Sequence, residues 1–149
     1  MQIGVGIDPT LVLSEDEQQR LAREAAGLGY HSLWTTAPPE GGDPFRLCEA
    51  WYAASGLQTG VSVVPMPAWP IDRLAARAAA ARTRTDGRLI LGVGAGVERR
   101  APIRLMRATA RSLRAALPQV TVYLGALGPQ MLRLAGERYD GAALNWSSP

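Results

Sequence analysis

Short apolar runs alternate with longer amphipathic segments along the whole chain, and this alternation restricts the folds available to it. Six runs read as strands, at residues 3–7, 31–36, 58–65, 88–93, 120–124 and 142–146. Five helices are predicted between them, at about 14–29, 44–55, 70–83, 102–117 and 129–138. Such alternation predicts right-handed βαβ units and a parallel sheet. No linker-like stretch divides the 149 residues, so we expect one domain over 1–149.

Two architectures fit this pattern equally well. One is an open, doubly wound sheet, and the other is a (β/α) barrel or part of one. A complete eight-fold barrel takes about 250 residues, which is far more than this chain has. The pattern alone leaves the choice open.

The composition excludes several kinds of site. All sixteen basic residues are arginine, so Schiff-base chemistry on lysine is excluded. Cys48 and His31 are the only residues of their types, which excludes an intrachain disulfide and a cysteine-rich or multi-histidine metal centre. The net charge is +3, but no aromatic residues interleave with the arginines, so we expect no nucleic-acid binding. We also expect no membrane span, no signal peptide and a cytoplasmic location.

Five sequence blocks carry a more specific signal because of their order. They are AREAAGLGYHSLW at 22–34, GVSVVP at 60–65, DGRLILGVGAG at 86–96, YLGALG at 123–128 and MLRLAG at 131–136. Together with Pro70, Asp140-Gly141 and Asn145-Trp146, they resemble successive blocks of the bacterial luciferase-like family. The resemblance covers nearly the whole chain.

This resemblance implies a fold and a cofactor. The family consists of TIM-barrel-like (β/α) proteins that bind FMN or a deazaflavin, coenzyme F-420, and carry out monooxygenation or hydride transfer. By comparison, this chain is internally shortened, because the block at 120–128 resembles the seventh strand yet follows the fourth helix directly. We therefore expect a barrel-derived parallel sheet of about six strands, with the fourth strand beside the seventh-like one or its symmetry mate.

The resemblance also implies which residues would hold a cofactor. Ser62 and Val63 match a third-strand bulge that can carry a non-proline cis peptide bond beneath the flavin ring, and a plain central strand is the alternative. Gly94 and Gly96 would let a ring approach the backbone closely. Gly125 and Gly128 would offer backbone N–H groups to a phosphate. Part of the family's phosphate site matches the missing segment, which would weaken or abolish cofactor binding.

The usual acid–base groups of the family have no counterpart here. Its second strand commonly ends in an Asp-His pair, which corresponds to Ala37 and Pro38, and the acid found after the fourth strand in deazaflavin-dependent relatives corresponds to Val97. Asp8 and Glu98 are the substitute candidates, since both follow strands at the end where barrel sites lie. The alternative is a turn former at Asp8 and an exposed loop carboxylate at Glu98.

An apolar substrate pocket is predicted from three large side chains, Trp34, Met66 and Trp69, although core packing is the alternative for Trp34. His31 starts its strand at the end away from the expected site, and Cys48 falls on an apolar helix face. We expect neither to be catalytic.

The leading hypothesis is a luciferase-like oxidoreductase that uses F-420 or FMN on a small apolar metabolite. A cofactor-independent cyclase or isomerase and a non-catalytic binding or assembly protein are the alternatives. Six strands leave two open parallel edges, so we also expect a homodimer or a higher even oligomer.

Overall fold

The computed structural model describes residues 2–8, 10–37, 42–98 and 100–144. The strands are β1 (Gly4–Gly6), β2 (Ser32–Thr35), β3 (Gln58–Pro65), β4 (Leu89–Gly94), β5 (Thr121–Gly125) and β6 (Gly141–Ala143). The helices are α1 (Glu15–Gly27), α2 (Pro44–Ser55), α3 (Ile71–Arg84), α4 (Pro102–Ala116) and α5 (Pro129–Arg138). A single 3-10 turn, Met66–Ala68, follows β3. All six strands and five helices predicted from the sequence are present, and the C-terminal part of the last predicted strand lies outside the described residues.

The sheet has the order β1-β2-β3-β4-β5-β6, and every neighbouring pair is parallel. A doubly wound sheet reverses its strand order at a switch point, whereas this order never reverses. The sheet curls into a half-barrel, an α/β fold of the TIM-barrel type. β4 pairs with β5, as the resemblance predicts.

The helices begin and end within two residues of the bounds that the sequence predicts. Ser14 and Glu17 form a capping box at the start of α1, with the Glu17 carboxylate accepting from the Ser14 backbone N–H at 2.8 Å. Asp43 caps α2 by accepting from the Phe45 N–H at 3.0 Å. Gly29, in the left-handed region at φ 81°, ends the turn after α1.

The hydrophobic core lies between the convex face of the sheet and the helices. Its larger part joins β3, β4 and β5 to helices α2 to α5, with Val61, Leu91 and Leu124 fully buried. A smaller part joins β1 and β2 to α1 and α2 around Leu33 and Trp51. Because side chains alternate along a strand, the other half of each strand faces the concave side. Of the functional candidates, Ser62 and Trp34 line a cavity on that side.

None of the helices in the described part of the chain is long and apolar enough to cross a membrane.

Candidate functional site

A bulge in the middle of β3 turns two consecutive side chains toward the concave face. Val61 pairs with Leu91 and Val64 with Val93, so Ser62 and Val63 both lie opposite the single residue Gly92. The peptide bond between Ser62 and Val63 is cis, as the resemblance predicts for this position.

The glycines of β4 and β5 make room for this bulge. A Cβ on Gly94 would lie 2.7 Å from a Val63 methyl carbon, and a Cβ on Gly125 would lie 3.1 Å from the other one. On Gly92, a Cβ would press against the backbone carbonyl oxygen of Val61. The missing Cβ atoms at Gly94 and Gly125 therefore accommodate Val63. The sequence analysis instead assigned Gly94 to the close approach of a ligand ring and Gly125 to a phosphate contact.

A cavity of about 400 Å³ opens beside the bulge, at the carboxyl ends of β4 and β5, and is called the main cavity below. Its lining residues are Ser62, Val63, Gly94, Ala95, Gly96, Gly125, Ala126, Leu127, Gly128, Met131 and Ala143. All six residues predicted for cofactor binding are among them. None of these lining residues is charged, so the wall is made of backbone, small side chains and three larger apolar ones, Val63, Leu127 and Met131.

Several of these lining residues were not predicted from the sequence. Ala95, Ala126 and Leu127 adjoin the predicted glycines, and their position at strand ends is a signal that could have identified them. Met131 lies in the first turn of α5, and Ala143 lies on the last strand. Only the curl of the sheet brings Ala143 to the same wall as Ser62.

A second cavity, of about 290 Å³, lies on the concave face between the first and last strands. It is lined by Gly6, Trp34, Ser62, Tyr123, Ala142, Ala143 and Leu144. Ser62 and Ala143 belong to both cavities, which therefore adjoin. Of the three predicted substrate-pocket residues, Trp34 lies here.

Met66 and Trp69 lie elsewhere, in the hydrophobic core. The 3-10 turn after β3 folds the chain back, so Trp69 packs edge-on against Phe45 with ring centroids 6.2 Å apart. The Arg73 guanidinium covers its other side, 5.1 Å from the ring centroid. Neither Met66 nor Trp69 lines the main or the second cavity.

Asp8 and Glu98 are both engaged in local hydrogen bonds and line neither cavity. The Asp8 carboxylate accepts from the Thr10 N–H at 2.8 Å, and this hydrogen bond lowers the pKa of Asp8. Glu98 accepts from the N–H groups of Arg100 at 2.6 Å and Ala101 at 3.1 Å, immediately before α4. The geometry of Asp8 matches its turn-forming alternative, and its lowered pKa makes its carboxylate a weaker base. Glu98 was expected to be an exposed loop carboxylate if it is not catalytic, and the structure shows it half-buried.

The remaining candidates lie away from the cavities. His31 is exposed, just before β2. Cys48 is fully buried, and burial raises the pKa of its thiol to about 12, so it stays protonated near neutral pH. Within the described ranges, no group of three or more His, Cys, Asp or Glu side chains could hold a metal ion. Ala37 is described and half-buried, whereas Pro38 lies outside the described residues.

No protein-family model matches this sequence, and no curated protein matches it. Solved structures do. The chain matches the coenzyme F-420-dependent tetrahydromethanopterin reductase of Methanopyrus kandleri with a TM-score of 0.75 and 15% identity, over 97% of this chain and 55% of that one. It matches a type II Baeyer-Villiger monooxygenase, the oxygenating constituent of 3,6-diketocamphane monooxygenase from the CAM plasmid of Pseudomonas putida in complex with FMN, with a TM-score of 0.74.

That second match has 16% identity and covers 95% of this chain and 57% of the monooxygenase. A third structure, monooxygenase RslO1 from Streptomyces bottropensis, matches with a TM-score of 0.67 and 17% identity, over 85% of this chain and 54% of that one. The chain thus spans about half the length of the structures it matches. It has the fold of the F-420-dependent reductase and of these two monooxygenases, in the form of a six-stranded half-barrel.

Proposed function

We propose that this chain is a shortened luciferase-like oxidoreductase that holds FMN or the deazaflavin F-420 in the main cavity and acts on a small apolar metabolite. One observation carries the proposal: the six residues that the resemblance assigns to cofactor binding, far apart in sequence, all line one cavity. The matched structures support it, since one is described as F-420-dependent and another as a complex with FMN. The proposal includes the cytoplasmic location expected from the sequence.

The main cavity fits a flat ring system with a phosphate tail. Its wall is apolar and uncharged, which suits the ring. Gly128 precedes α5, and the first N–H groups of a helix have no intrahelical partner, so they can donate to a phosphate. A Cβ on Gly128 would meet no atom within 4 Å, which leaves that side of the cavity open.

The chain's own residues would position the reactants rather than transfer protons. When bound, the cofactor supplies hydride transfer or oxygen activation, and the protein supplies orientation and exclusion of water. Ser62 and Val63 would support the ring from the bulge, and Leu127 and Met131 would shield it from solvent. Ala37 stands where the family has an acid–base residue, so proton transfer through that position is not part of the proposal.

Of the two alternatives, the cofactor-independent enzyme receives less support. A cofactor-independent cyclase or isomerase needs an acid or base at a cavity, and Asp8 and Glu98 instead make local backbone hydrogen bonds. A non-catalytic binding protein would use the same cavities without a cofactor.

Titration of the purified protein with FMN and with F-420, in parallel, tests the proposal. We expect near-stoichiometric binding of at least one of them, seen as a change in cofactor absorbance or fluorescence. If neither binds at micromolar concentrations, the oxidoreductase proposal is wrong, and turnover assays would then separate the two alternatives.

Gly128→Val should block the main cavity without disturbing the fold. Gly128 has an extended backbone, φ −156° and ψ 167°, which β-branched residues adopt readily. We expect cofactor affinity to fall at least tenfold, equivalent to about 1.4 kcal/mol, while the free energy of unfolding falls by about 1 kcal/mol or less. His31→Ala, an exposed change away from both cavities, is the control, and equal losses of affinity in the two variants would contradict this site.

Gly94→Val and Gly125→Val should also reduce cofactor binding more than His31→Ala or Cys48→Ser does. Their effect would be indirect, because each new side chain would displace Val63 from its place against β4 and β5. Affinity measured on the folded fraction of each variant checks this. Unchanged cofactor affinity in both glycine variants would show that the bulge at Val63 is not part of the cofactor-binding site.

We also propose that the chain forms a homodimer or a higher even oligomer through its open edges. Among the residues that the structure describes, β1 and β6 each pair with one strand only, and exposed apolar side chains lie beside both, namely Ile3 (51% exposed) and Leu144 (55% exposed). A stable interface needs to bury more than about 1,000 Å². We expect light scattering to give at least twice the monomer mass of 15.9 kDa, and a monomer at all micromolar concentrations would refute the proposal.

A further inference from the structure

The aromatic rings of Trp34 and Tyr123 lie on the concave face and line the second cavity. Each ring packs over a glycine of a neighbouring strand. A Cβ on Gly60 would be 2.5–3.0 Å from the six-membered ring of Trp34, and a Cβ on Gly141 would be 2.7–2.9 Å from the ring of Tyr123. The Trp34 Nε1–H donates to the Ser32 hydroxyl at 2.9 Å, which holds the indole in place. Each ring therefore lies flat against the backbone of a neighbouring strand.

The two rings together form an apolar floor that remains partly exposed. Their centroids are 6.1 Å apart and their planes meet at 30°. Both side chains are only half-buried, although Trp34 lies on β2 and Tyr123 on β5, one strand in from each edge of the sheet. Ligand-binding pockets are lined mainly by apolar and aromatic side chains with a few polar groups, and this arrangement matches that description.

In the described part of the chain, the polar residues that line the second cavity are few and uncharged. Ser62 and Tyr123 are the lining residues that carry a side-chain hydroxyl, and the indole N–H of Trp34 is already paired. The other lining residues are Gly6, Ala142, Ala143 and Leu144. A charged ligand would lose its hydration here without gaining a partner, which is costly. A neutral ligand with one hydrogen-bonding group would lose much less.

We propose that the second cavity is a subsite for a small, flat, uncharged ring compound that carries a single carbonyl or hydroxyl group. Its ring would lie on Trp34 and Tyr123, and its polar group would meet the hydroxyl of Ser62 or Tyr123. The volume of about 290 Å³ is at the lower end of the usual range of about 300–1,000 Å³ for small-molecule sites, so the ligand has one or two rings.

The position of this subsite connects it to the main cavity. Ser62 and Ala143 form part of both walls, so a ring on the aromatic floor would lie beside whatever occupies the main cavity. The assignment of the ring compound as the substrate rests on the proposed function. The affinity of the subsite for such a ring is independent of the proposed function.

Binding of a neutral and a charged naphthalene to the whole chain tests this inference. Calorimetric titration would compare 2-naphthol with naphthalene-2-sulfonate, and we expect the sulfonate to bind at least tenfold more weakly. Trp34→Leu and Tyr123→Leu should each weaken 2-naphthol binding at least tenfold and leave FMN or F-420 affinity within threefold of the wild type. Tyr52→Leu, at a half-buried aromatic residue of α2 that lines neither cavity, should change neither affinity.

A conservative variant keeps the test valid if a leucine variant fails to fold. Trp34→Phe retains a flat ring, so we expect its affinity for 2-naphthol to stay within threefold of the wild-type affinity. Failure of folded Trp34→Phe to bind, or equal binding of the sulfonate, would overturn the subsite.

The outcomes also separate this inference from the proposed function. If 2-naphthol binds as expected but neither cofactor does, the subsite stands and its role as a substrate site is overturned. If a cofactor binds but 2-naphthol does not, the subsite is overturned alone. If 2-naphthol fails to bind and Trp34→Leu turns a dimer into a monomer, the rings belong to a protein interface and the subsite is likewise overturned.

Discussion

Gly92→Ala is expected to destabilise the protein by about 3 kcal/mol, the upper part of the usual range for overpacking a filled site. The added Cβ would press against the carbonyl oxygen of Val61, and it would also lie 3.3 Å from the Ser62 Cα and 3.2 Å from a Val63 methyl carbon. Two of these three atoms are backbone and belong to the paired strand β3. They cannot move by a rotamer change, so the bulge itself must shift.

Thermal and urea unfolding of the variant measure this effect. For a chain of this size, the expected loss corresponds to a decrease in Tm of about 6–12 °C. Because Ser62 and Val63 line the main cavity, the folded fraction should also bind FMN or F-420 more weakly than the wild type.

Gly136→Ala is the matched control for the same chemical change. Gly136 lies inside α5, and a Cβ there meets no atom within 4 Å, so the variant should gain up to about 1 kcal/mol from helix propensity. The two variants are thus expected to change stability in opposite directions. A Gly92→Ala protein as stable as the wild type would contradict the packing described around the bulge.

The strand order could be predicted from the sequence because two kinds of information agree. The alternation of apolar runs and amphipathic segments predicts a parallel sheet, and the order of the blocks at 60–65, 86–96 and 123–128 places the seventh-like strand after the fourth. The pairing of β4 with β5 follows from both. The curl that brings Gly6 and Ala142 to one cavity depends on long-range geometry, which no local pattern carries.

The location of the main cavity could also be predicted, but the reason for its glycines could not. Strand periodicity places alternate residues on one face, so Ser62 and Val63 should point to opposite sides. The bulge cancels this alternation and puts both on the concave face. Because of the bulge, the Val63 side chain lies against Gly94 and Gly125 and occupies the space that their missing Cβ atoms leave.

The backbone turn that follows a strand determines where the next side chains point, and at Trp69 that turn was not predicted from the sequence. Trp69 was expected to line a pocket because it follows a strand, but the 3-10 turn directs it into the core. Asp8 is two residues before Thr10, and an Asp at that spacing commonly closes a turn. The Asp8 carboxylate is therefore used in a local hydrogen bond, and this turn-forming role is the alternative that the sequence predicts for it.

Stability is expected to fall above pH 9 because of Cys48. Burial raises the pKa of its thiol from 9.0 to about 12, so the folded state favours the neutral form. The thiol's contribution is fully present below pH 9, where both states keep it protonated. It is lost as the pH rises from 9 toward 12, since only the unfolded chain can ionise there.

Urea unfolding at pH 8 and at pH 10.5 measures this loss. Each pH unit within the window costs about 1.4 kcal/mol, so the Cys48 contribution should fall by about 2 kcal/mol between the two conditions. Burial also raises the pKa of Tyr139, whose hydroxyl donates to the Met106 carbonyl oxygen at 2.7 Å, and this adds a further loss above pH 10.

The variant Cys48→Ala separates the contributions of Cys48 and Tyr139 to the loss of stability at high pH. The variant should be less stable than the wild type at pH 8 because it leaves a small cavity, but it should lose about 2 kcal/mol less on going to pH 10.5. Tyr139→Phe should instead keep the Cys48 part of the decline. Equal pH dependence in the wild type and Cys48→Ala would show that the thiol ionises as readily in the folded protein as in the unfolded one, contrary to its burial beneath β3.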